Sequence, residues 1–235
     1  MKLPSVLLSL FRNRKQLYFL IGLISLVTIS IILVSVLTIY ISESELRAWE
    51  KPLNYFSIAE PNINIIDKES KNTLNNLDNV DLTMKFMDSI ISVPGILNTE
   101  YRPVIALDGN NMKEFMKRNE LDLIEGDLPK SDTRELLISN NISKTKNLQV
   151  NDYVGNAINN EEFLWGRFKV TGIFEGKLDM ALASLEYFER KAGAGSSLLV
   201  FPKTNIENMN QKLLNINTQN FQFETKQTLV KNNAK

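Results

Sequence analysis

The sequence contains no cysteine and no histidine. Without cysteine no disulfide can form, so the folded part of the chain has to be stabilised by packing. The two absences also exclude thiolate nucleophiles, Ser-His-Asp triads and metal sites built from His or Cys. Carboxylates, Lys, Tyr and Ser/Thr are the remaining catalytic groups. We therefore expect a chain that is not an enzyme and that carries no cofactor and no metal ion.

Short motifs for phosphate or calcium binding are missing as well. The segment Gly193-Ala194-Gly195-Ser196 lacks both the Gly-Lys-Ser/Thr ending of a phosphate-binding loop and the G-x-S-x-G of a hydrolase. The segment Asp108-Gly109-Asn110 is too short for a calcium loop, whose ligands recur over twelve positions. Both segments are therefore predicted to be turns.

An excess of positive charge is also lacking, since 27 Lys and Arg balance 27 Asp and Glu. The first 42 residues contain four basic residues and no acidic one, so the rest of the chain carries 0 − 4 = −4. A nucleic-acid-binding domain would present a basic face. We expect no nucleic-acid partner.

What the sequence does have is one long apolar segment, Leu17–Ile41, with 25 residues and no charge. As a helix it would extend about 37 Å at roughly 1.5 Å per residue, which exceeds the hydrocarbon core of a bilayer, about 30 Å. Its Ser and Thr hydroxyls can bond to the carbonyl one turn earlier. A cleaved signal peptide would have a shorter apolar core and a small-residue cleavage site, which SESELRAWEKP does not offer. We predict a transmembrane helix over residues 17–41.

The flanking charges predict the orientation of this span. Basic residues precede it without an acidic one, and charges of both signs follow it. The positive-inside rule then places residues 1–16 in the cytoplasm and residues 42–235 outside the plasma membrane. Residues 3–11 have helical apolar spacing, so residues 1–16 are expected to be an amphipathic segment against membrane lipid, with a frayed tail as the alternative. The predicted membrane-interface residues are Arg12, Arg14, Lys15, Tyr40 and Trp49.

Beyond the span, strand-like and helix-like patterns mix without a strict alternation, so we predict an α+β fold. Alternating or short apolar runs between turn residues predict strands over 62–67, 96–101, 103–107, 135–139, 150–154, 163–174, 198–201 and 221–225. Apolar spacing and capping residues predict helices over 81–92, 111–119, 142–146, 180–190 and 204–214. Residues 68–79 are predicted to form a loop with at most one helical turn, and the tail after residue 225 is predicted to be frayed.

Several segments together resemble one family. The opening LLSLFRNRKQLYFLIGLISLVTISIIL, then FMDSIISVPGILNTEYRPV, LIEGDLPKSDTRELLISNNISKTKNLQVNDYVG and RFKVTGIFE are similar, in this order, to ABC-transporter permeases of the macrolide-exporter and lipoprotein-release (MacB/FtsX-like) type. Asn151-Asp152 replaces the Gly-Asp of the family. The family continues with three more spans, whereas no apolar run after Ile41 approaches 18 residues. The chain is therefore expected to be part of a four-span permease or a single-span relative.

The resemblance implies a MacB-like core domain over residues 42–235, with an inserted subdomain over roughly 130–200. It also implies an ABC ATPase partner in the cytoplasm and a homodimer or a second permease subunit. The function it implies is coupling ATP hydrolysis by that partner to movement of the outer domain, which would export or extract a peptide, a lipoprotein or a hydrophobic drug. The alternative is a single-span anchored extracytoplasmic sensor or adaptor that binds a partner protein without transport.

Overall fold

A computed structural model describes residues 14–62, 68–93, 100–155, 166–192, 195–215 and 221–233. The chain divides into two compact units, Met1–Leu46 and Arg47–Lys235. We call the second unit the globular domain. Helix α1, Arg14–Glu50, begins in the first unit and ends in the second.

In the first unit the apolar part of α1 is exposed along residues 21–36. The hydroxyls of Thr28, Ser30 and Ser35 donate to the carbonyl oxygens four residues earlier at 2.8–2.9 Å. These bonds are the ones expected from the sequence, and they leave no hydroxyl of the three without a partner. Within the part of the chain that the structure describes, no helix is long and apolar enough to cross a membrane. The span over residues 17–41 therefore stays a prediction.

The globular domain is built on a mixed ten-stranded sheet, which confirms the α+β prediction. The strands are β1 Ser57–Pro61, β2 Val80–Val93, β3 Glu100–Leu107, β4 Asp122–Gly126, β5 Glu135–Ser139, β6 Tyr153–Val154, β7 Phe168–Glu175, β8 Ala181–Ser184, β9 Ser197–Pro202 and β10 Phe221–Glu224. Their order is β10-β1-β9-β2-β3-β8-β5-β7-β4, with β6 also paired to β7. Only the pairs β3–β8 and β5–β7 are parallel among the pairings described.

The helices of the domain are short and lie on the sheet or at its ends. They are α2 Lys68–Asn75, α3 Gly109–Arg118, α4 Asn140–Lys146, α5 Leu185–Ala192, α6 Ile206–Asn215 and α7 Lys226–Asn233, with a 3-10 turn at Pro52–Asn54. Asp108 caps α3, because its carboxylate accepts hydrogen bonds from the backbone N–H groups of Asn110 and Asn111. Ser139 caps α4 in the same way through Ile142.

The long strand β2 joins the two halves of the sheet. Its first half, up to Phe86, pairs with β9, and its second half, from Met87, pairs with β3. A large buried cluster under α3 covers one face of both halves. Two further clusters cover the opposite face, one under α4 and α5 and the other under α2 and α6. The central strands are therefore buried on both faces.

This double burial explains the two largest errors of the sequence prediction. Residues 81–92 form strand β2 and not a helix, and residues 181–184 form strand β8 before α5 begins at Leu185. Leu82, Phe86 and Ile90 are spaced by four, which places them on one face of a strand as well as on one face of a helix. A strand buried on both faces also lacks the alternation that would have identified it.

Other predictions need smaller corrections. Residues 68–75 are helical where a loop was predicted, and residues 226–233 are helical where a frayed tail was predicted. The side chain that caps α6 belongs to Asn205 and not to Thr204, since it accepts from the N–H groups of Glu207 and Asn208. The strand predicted over 62–67 falls mostly outside the described residues, and the observed strand β1 precedes it.

The alternation in RFKVTGIF predicts that Phe168, Val170, Gly172 and Phe174 share one face of β7, but in the structure this face is interrupted. Phe168 and Val170 lie in the cluster under α4 and α5, whereas Phe174 lies in the cluster under α3. The pairing of β7 with β5 shifts by one residue between Leu136 and Leu137. Such a bulge reverses the faces that the following side chains point to.

Candidate functional site

No arrangement of metal ligands is found among the residues that the structure describes, where no group of three or more Asp or Glu side chains could hold a metal ion. The polar features of the globular domain are instead networks of charged side chains at the ends and edges of the sheet. Three of them bring together residues that are far apart in the sequence. They are the most specific chemistry that the described part of the domain offers.

The first network is centred on Asp179, at the sheet end where β5 stops and β3 and β8 begin. One carboxylate oxygen of Asp179 accepts from the hydroxyl of Ser139 at 2.6 Å. The other accepts from the amide of Asn141 at 2.7 Å and from the guanidinium of Arg102 at 3.5 Å. Because Ser139 also caps α4, Asp179 fixes the junction between β5 and that helix.

Ion pairs extend this Asp179 network to the start of β3. Arg102 donates to Glu100 at 2.9 Å, and the Lys146 ammonium lies 2.5 Å from the other oxygen of the same carboxylate. The side chain of Lys146 is only 7% exposed, so its charge is removed from solvent and satisfied by Glu100. The hydrogen bond from Lys146 lowers the pKa of Glu100, with further contributions from the charges of Lys146 and Arg102. The network therefore fastens α4 to β3.

The second network is a face of like charges formed by Glu60 of β1, Asp88 of β2 and Glu224 of β10. Glu60 and Glu224 share a side of the sheet with Ile58, and Asp88 shares that side with Phe86, by the alternation of strand residues. Desolvation raises the pKa of all three carboxyls, although the side chains of Asp88 and Glu224 are exposed, so the effect is partly screened by solvent. The charge of Asp88 raises the pKa of Glu60 further, and the charges of Glu60 and Asp88 raise that of Glu224.

The contributions of the two networks to stability are expected to change with pH in opposite directions. A carboxyl whose pKa is raised by folding destabilises the folded state once it is ionised. The free energy of unfolding is therefore larger at low pH and decreases as the pH rises through the folded-state pKa. Replacing Asp88 by asparagine should therefore raise the unfolding midpoint at pH 7, and this gain should vanish near pH 4, about the ordinary pKa of aspartate. Glu100 has a lowered pKa, so Glu100→Gln should lower the midpoint at pH 7 and have no effect once the pH falls through the folded-state pKa.

Thermal unfolding of the chain from Arg47 onward, measured from pH 7 down to about pH 3, checks both variants, because this range extends below the ordinary carboxyl pKa. Each variant is the control for the other, because both remove one negative charge from the same domain. A change of the same sign in both variants at pH 7 would show that net charge, and not the local surroundings, determines the response.

A third cluster surrounds the ring of Tyr187, which is 4% exposed at the start of α5. The guanidinium of Arg134 donates to the Tyr187 hydroxyl at 2.6 Å, and the guanidinium of Arg190 lies 5.7 Å from the ring centre. Arg190 also bonds Asp132, whose N–H donates to the hydroxyl of Ser184. These contacts fasten the segment between β4 and β5 to α5.

The predicted membrane-interface residues are placed only in part. Arg12 lies outside the described residues. Arg14, Lys15 and Tyr40 lie in α1, at positions whose side chains are not among those described. Trp49, in the last turn of α1, is half-buried and packs against the cluster under α3. The interface roles of these residues stay predictions.

No pattern in the sequence predicted the charged networks. Arg102 and Asp179 are separated by 77 positions, and each occurs in a segment whose own pattern is that of a strand or a turn. The short loop before β8 contains one acidic residue after Gly176-Lys177-Leu178, which is typical of any surface turn. Arg102 and Asp179 lie close together because β3 pairs in parallel with β8, and this pairing was not predicted.

No protein-family model matches the chain, and no curated protein sequence matches it. Several solved structures are similar to the chain. The periplasmic region of MacB from Actinobacillus actinomycetemcomitans is 15% identical with a TM-score of 0.45, and the match covers 77% of this chain and 92% of that one. The extracellular domain of the noncanonic ABC-type transporter YknZ from Gram-positive bacteria is 13% identical with a TM-score of 0.44, over 73% of this chain and 99% of that one.

A domain of a putative permease protein from Porphyromonas gingivalis is 12% identical with a TM-score of 0.40, over 70% of this chain and 83% of that one. With TM-scores below 0.5, the function proposed next rests on the residues of this chain.

Proposed function

We propose that this chain is a permease subunit, or the N-terminal part of one, in an ABC transporter of the MacB/FtsX-like type. The globular domain lies outside the plasma membrane, and residues 17–41 span it with residues 1–16 in the cytoplasm. A cytoplasmic ABC ATPase hydrolyses ATP, and the globular domain moves in response to export or extract a peptide, a lipoprotein or a hydrophobic drug. The chain itself catalyses no reaction.

The observation that carries this proposal is the order of the family-like segments along the chain, from the basic residues before the apolar segment to RFKVTGIFE. Two of these segments contain the strands β5 and β7, which are adjacent and parallel in the sheet. Adjacent parallel strands have to be joined by a crossover connection, and here Leu136 and Thr171, which are bonded across the pair, are 35 residues apart. The order of these two segments along the chain therefore restricts the topology of the sheet.

The apolar segment supports the membrane part of the proposal. It has no charged residue, and three of its hydroxyls bond to carbonyl groups within the helix. Polar groups that are satisfied inside a helix can enter a hydrocarbon core at low cost, whereas unsatisfied ones cannot. The basic residues Arg12, Arg14 and Lys15 would remain at the inner surface, near anionic headgroups.

Association with an ATPase tests the proposal. The complete product of the gene that encodes this chain, carrying an affinity tag, should be isolated from its own cells in mild detergent. We expect an ABC ATPase subunit to co-purify, together with ATP hydrolysis that is lost when the phosphate-binding lysine of that ATPase is replaced. An unrelated tagged single-span protein isolated in parallel is the control. A folded, membrane-bound chain that retains no ATPase would contradict the permease role and leave the anchored adaptor.

A further inference from the structure

The strand β4 forms one end of the sheet and is the most exposed strand of the described domain. It pairs with β7 on one side, and β4 is the last strand in the sheet order. All five of its residues are exposed, including Leu123 at 41% and Ile124 at 49%. An edge strand presents unpaired backbone N–H and C=O groups, and proteins normally cover or charge such an edge.

The apolar side chains of β4 occur at a bulge. The pairing of β4 with β7 shifts by one residue between Leu123 and Glu125. Two successive apolar side chains are therefore exposed at one place, although neighbouring residues of a regular strand point to opposite faces. The edge thus combines unpaired backbone with a small apolar contact surface.

The charges around β4 are acidic. Asp122 and Glu125 lie in the strand, Asp127 follows it, and Glu175 is paired opposite Asp122 on β7. Residues 121–127 contain no Lys or Arg. The nearby ammonium of Lys177 forms an ion pair with Glu120. A segment that docks here therefore meets a row of carboxylates.

We propose that β4 is a docking edge for an extended, basic segment of another protein, which adds to the sheet as a further strand. Backbone hydrogen bonds supply the pairing, the apolar pair contacts Leu123 and Ile124, and Lys or Arg side chains face the carboxylates. A second copy of this chain is a poor occupant, because its β4 would place Asp and Glu opposite Asp and Glu. The inference does not depend on a transport role.

A synthetic peptide serves as the probe. Lys-Val-Lys-Val-Lys-Val-Lys with a fluorescent label should bind the full chain in non-ionic detergent micelles in a saturable manner, measured by fluorescence anisotropy. The same peptide N-methylated at every residue keeps its charge but has no backbone donors. We expect it to bind about tenfold more weakly or worse, because several backbone hydrogen bonds are lost.

Charge variants locate the binding. Asp122→Asn with Glu125→Gln should weaken binding of the unmethylated peptide about fivefold, as expected for two cross-strand charge pairs. The matched control, Asp78→Asn with Glu207→Gln, removes one exposed Asp and one exposed Glu elsewhere and should leave binding unchanged. Equal binding of the two peptides, or equal effects of the two double variants, would overturn the proposal, because nonspecific charge attraction would then be sufficient.

The absence of native cysteine permits a direct test of the second copy as occupant. Ile124→Cys should remain monomeric under mild oxidation, like Leu214→Cys, which places a thiol at an exposed leucine of α6. A disulfide-linked dimer formed by Ile124→Cys and not by Leu214→Cys would show that β4 pairs with another copy of the chain, and would overturn the proposed basic partner.

Discussion

Replacing Phe168 by alanine is expected to lower the free energy of unfolding of the globular domain by about 3–5 kcal/mol. The side chain is 2% exposed at the start of β7. Its ring lies 5.7 Å from that of Tyr187 in an edge-on arrangement and 6.3 Å from that of Phe188. Truncation removes these contacts and leaves a cavity under α5, which the surrounding strands can close only in part.

Chemical unfolding of the chain from Arg47 onward measures this change. The matched control is Tyr153→Ala on β6, the small strand that also pairs with β7, because the Tyr153 side chain is 58% exposed. We expect the control to change the free energy of unfolding by less than about 1 kcal/mol. Similar losses in the two variants would mean that Phe168 is not a core residue.

The second large effect is expected at Gly172, in the middle of β7. A Cβ atom there would lie 2.7 Å from the carbonyl oxygen of Asp127, 2.9 Å from that of Glu125 and 2.8 Å from a methyl group of Leu137. Two of these three atoms belong to the backbone, so the strain cannot be relieved by rotating a side chain. We expect Gly172→Ala to cost about 1–3 kcal/mol, the range found for overpacked sites.

Gly109→Ala is the control for this substitution. Gly109 begins α3, and a Cβ atom there would have no atom within 4 Å. Alanine should be neutral or slightly stabilising at that position, since it loses less backbone entropy than glycine. A Gly172→Ala variant as stable as Gly109→Ala would show that β4 and β7 do not approach as closely as described.

The sequence predicted the short strands with clear limits. Glu135–Ser139 was predicted with the observed bounds. The strand predicted at 198–201 is one residue shorter at each end than the observed one, and the strand predicted at 221–225 is one residue longer at its C-terminal end. Each is a brief apolar run between turn residues, and such a run needs no tertiary information to be recognised. The residues 111–119 were predicted as a helix and form most of α3.

The sequence could not predict strands whose partners cover both faces. In β2, Met84 and Phe86 lie under α3, whereas Met87 and Ile91 lie in the cluster under α4 and α5. The succession of apolar residues on both faces conceals the period of two. The charged networks were equally inaccessible, because the contact of Lys146 with Glu100 depends on how α4 folds back towards β3.

The predicted inserted subdomain over roughly 130–200 and the interface residues stay predictions. The roles of the interface residues depend on the arrangement of the chain at a membrane, and so does the proposed function. The central claim is that the globular domain lies on the side of the membrane opposite to residues 1–16. This claim can be tested without knowing the transported substrate or the partner.

Single cysteines at Ser9 and at Ser131 provide that test, since the chain has no native thiol and Ser131 is exposed in the globular domain. Intact cells that make either variant are treated with a membrane-impermeant maleimide, and permeabilised cells serve as the control for thiol reactivity. The account predicts labelling of Ser131→Cys in intact cells and labelling of Ser9→Cys only after permeabilisation. Labelling of Ser9→Cys but not of Ser131→Cys in intact cells would contradict it.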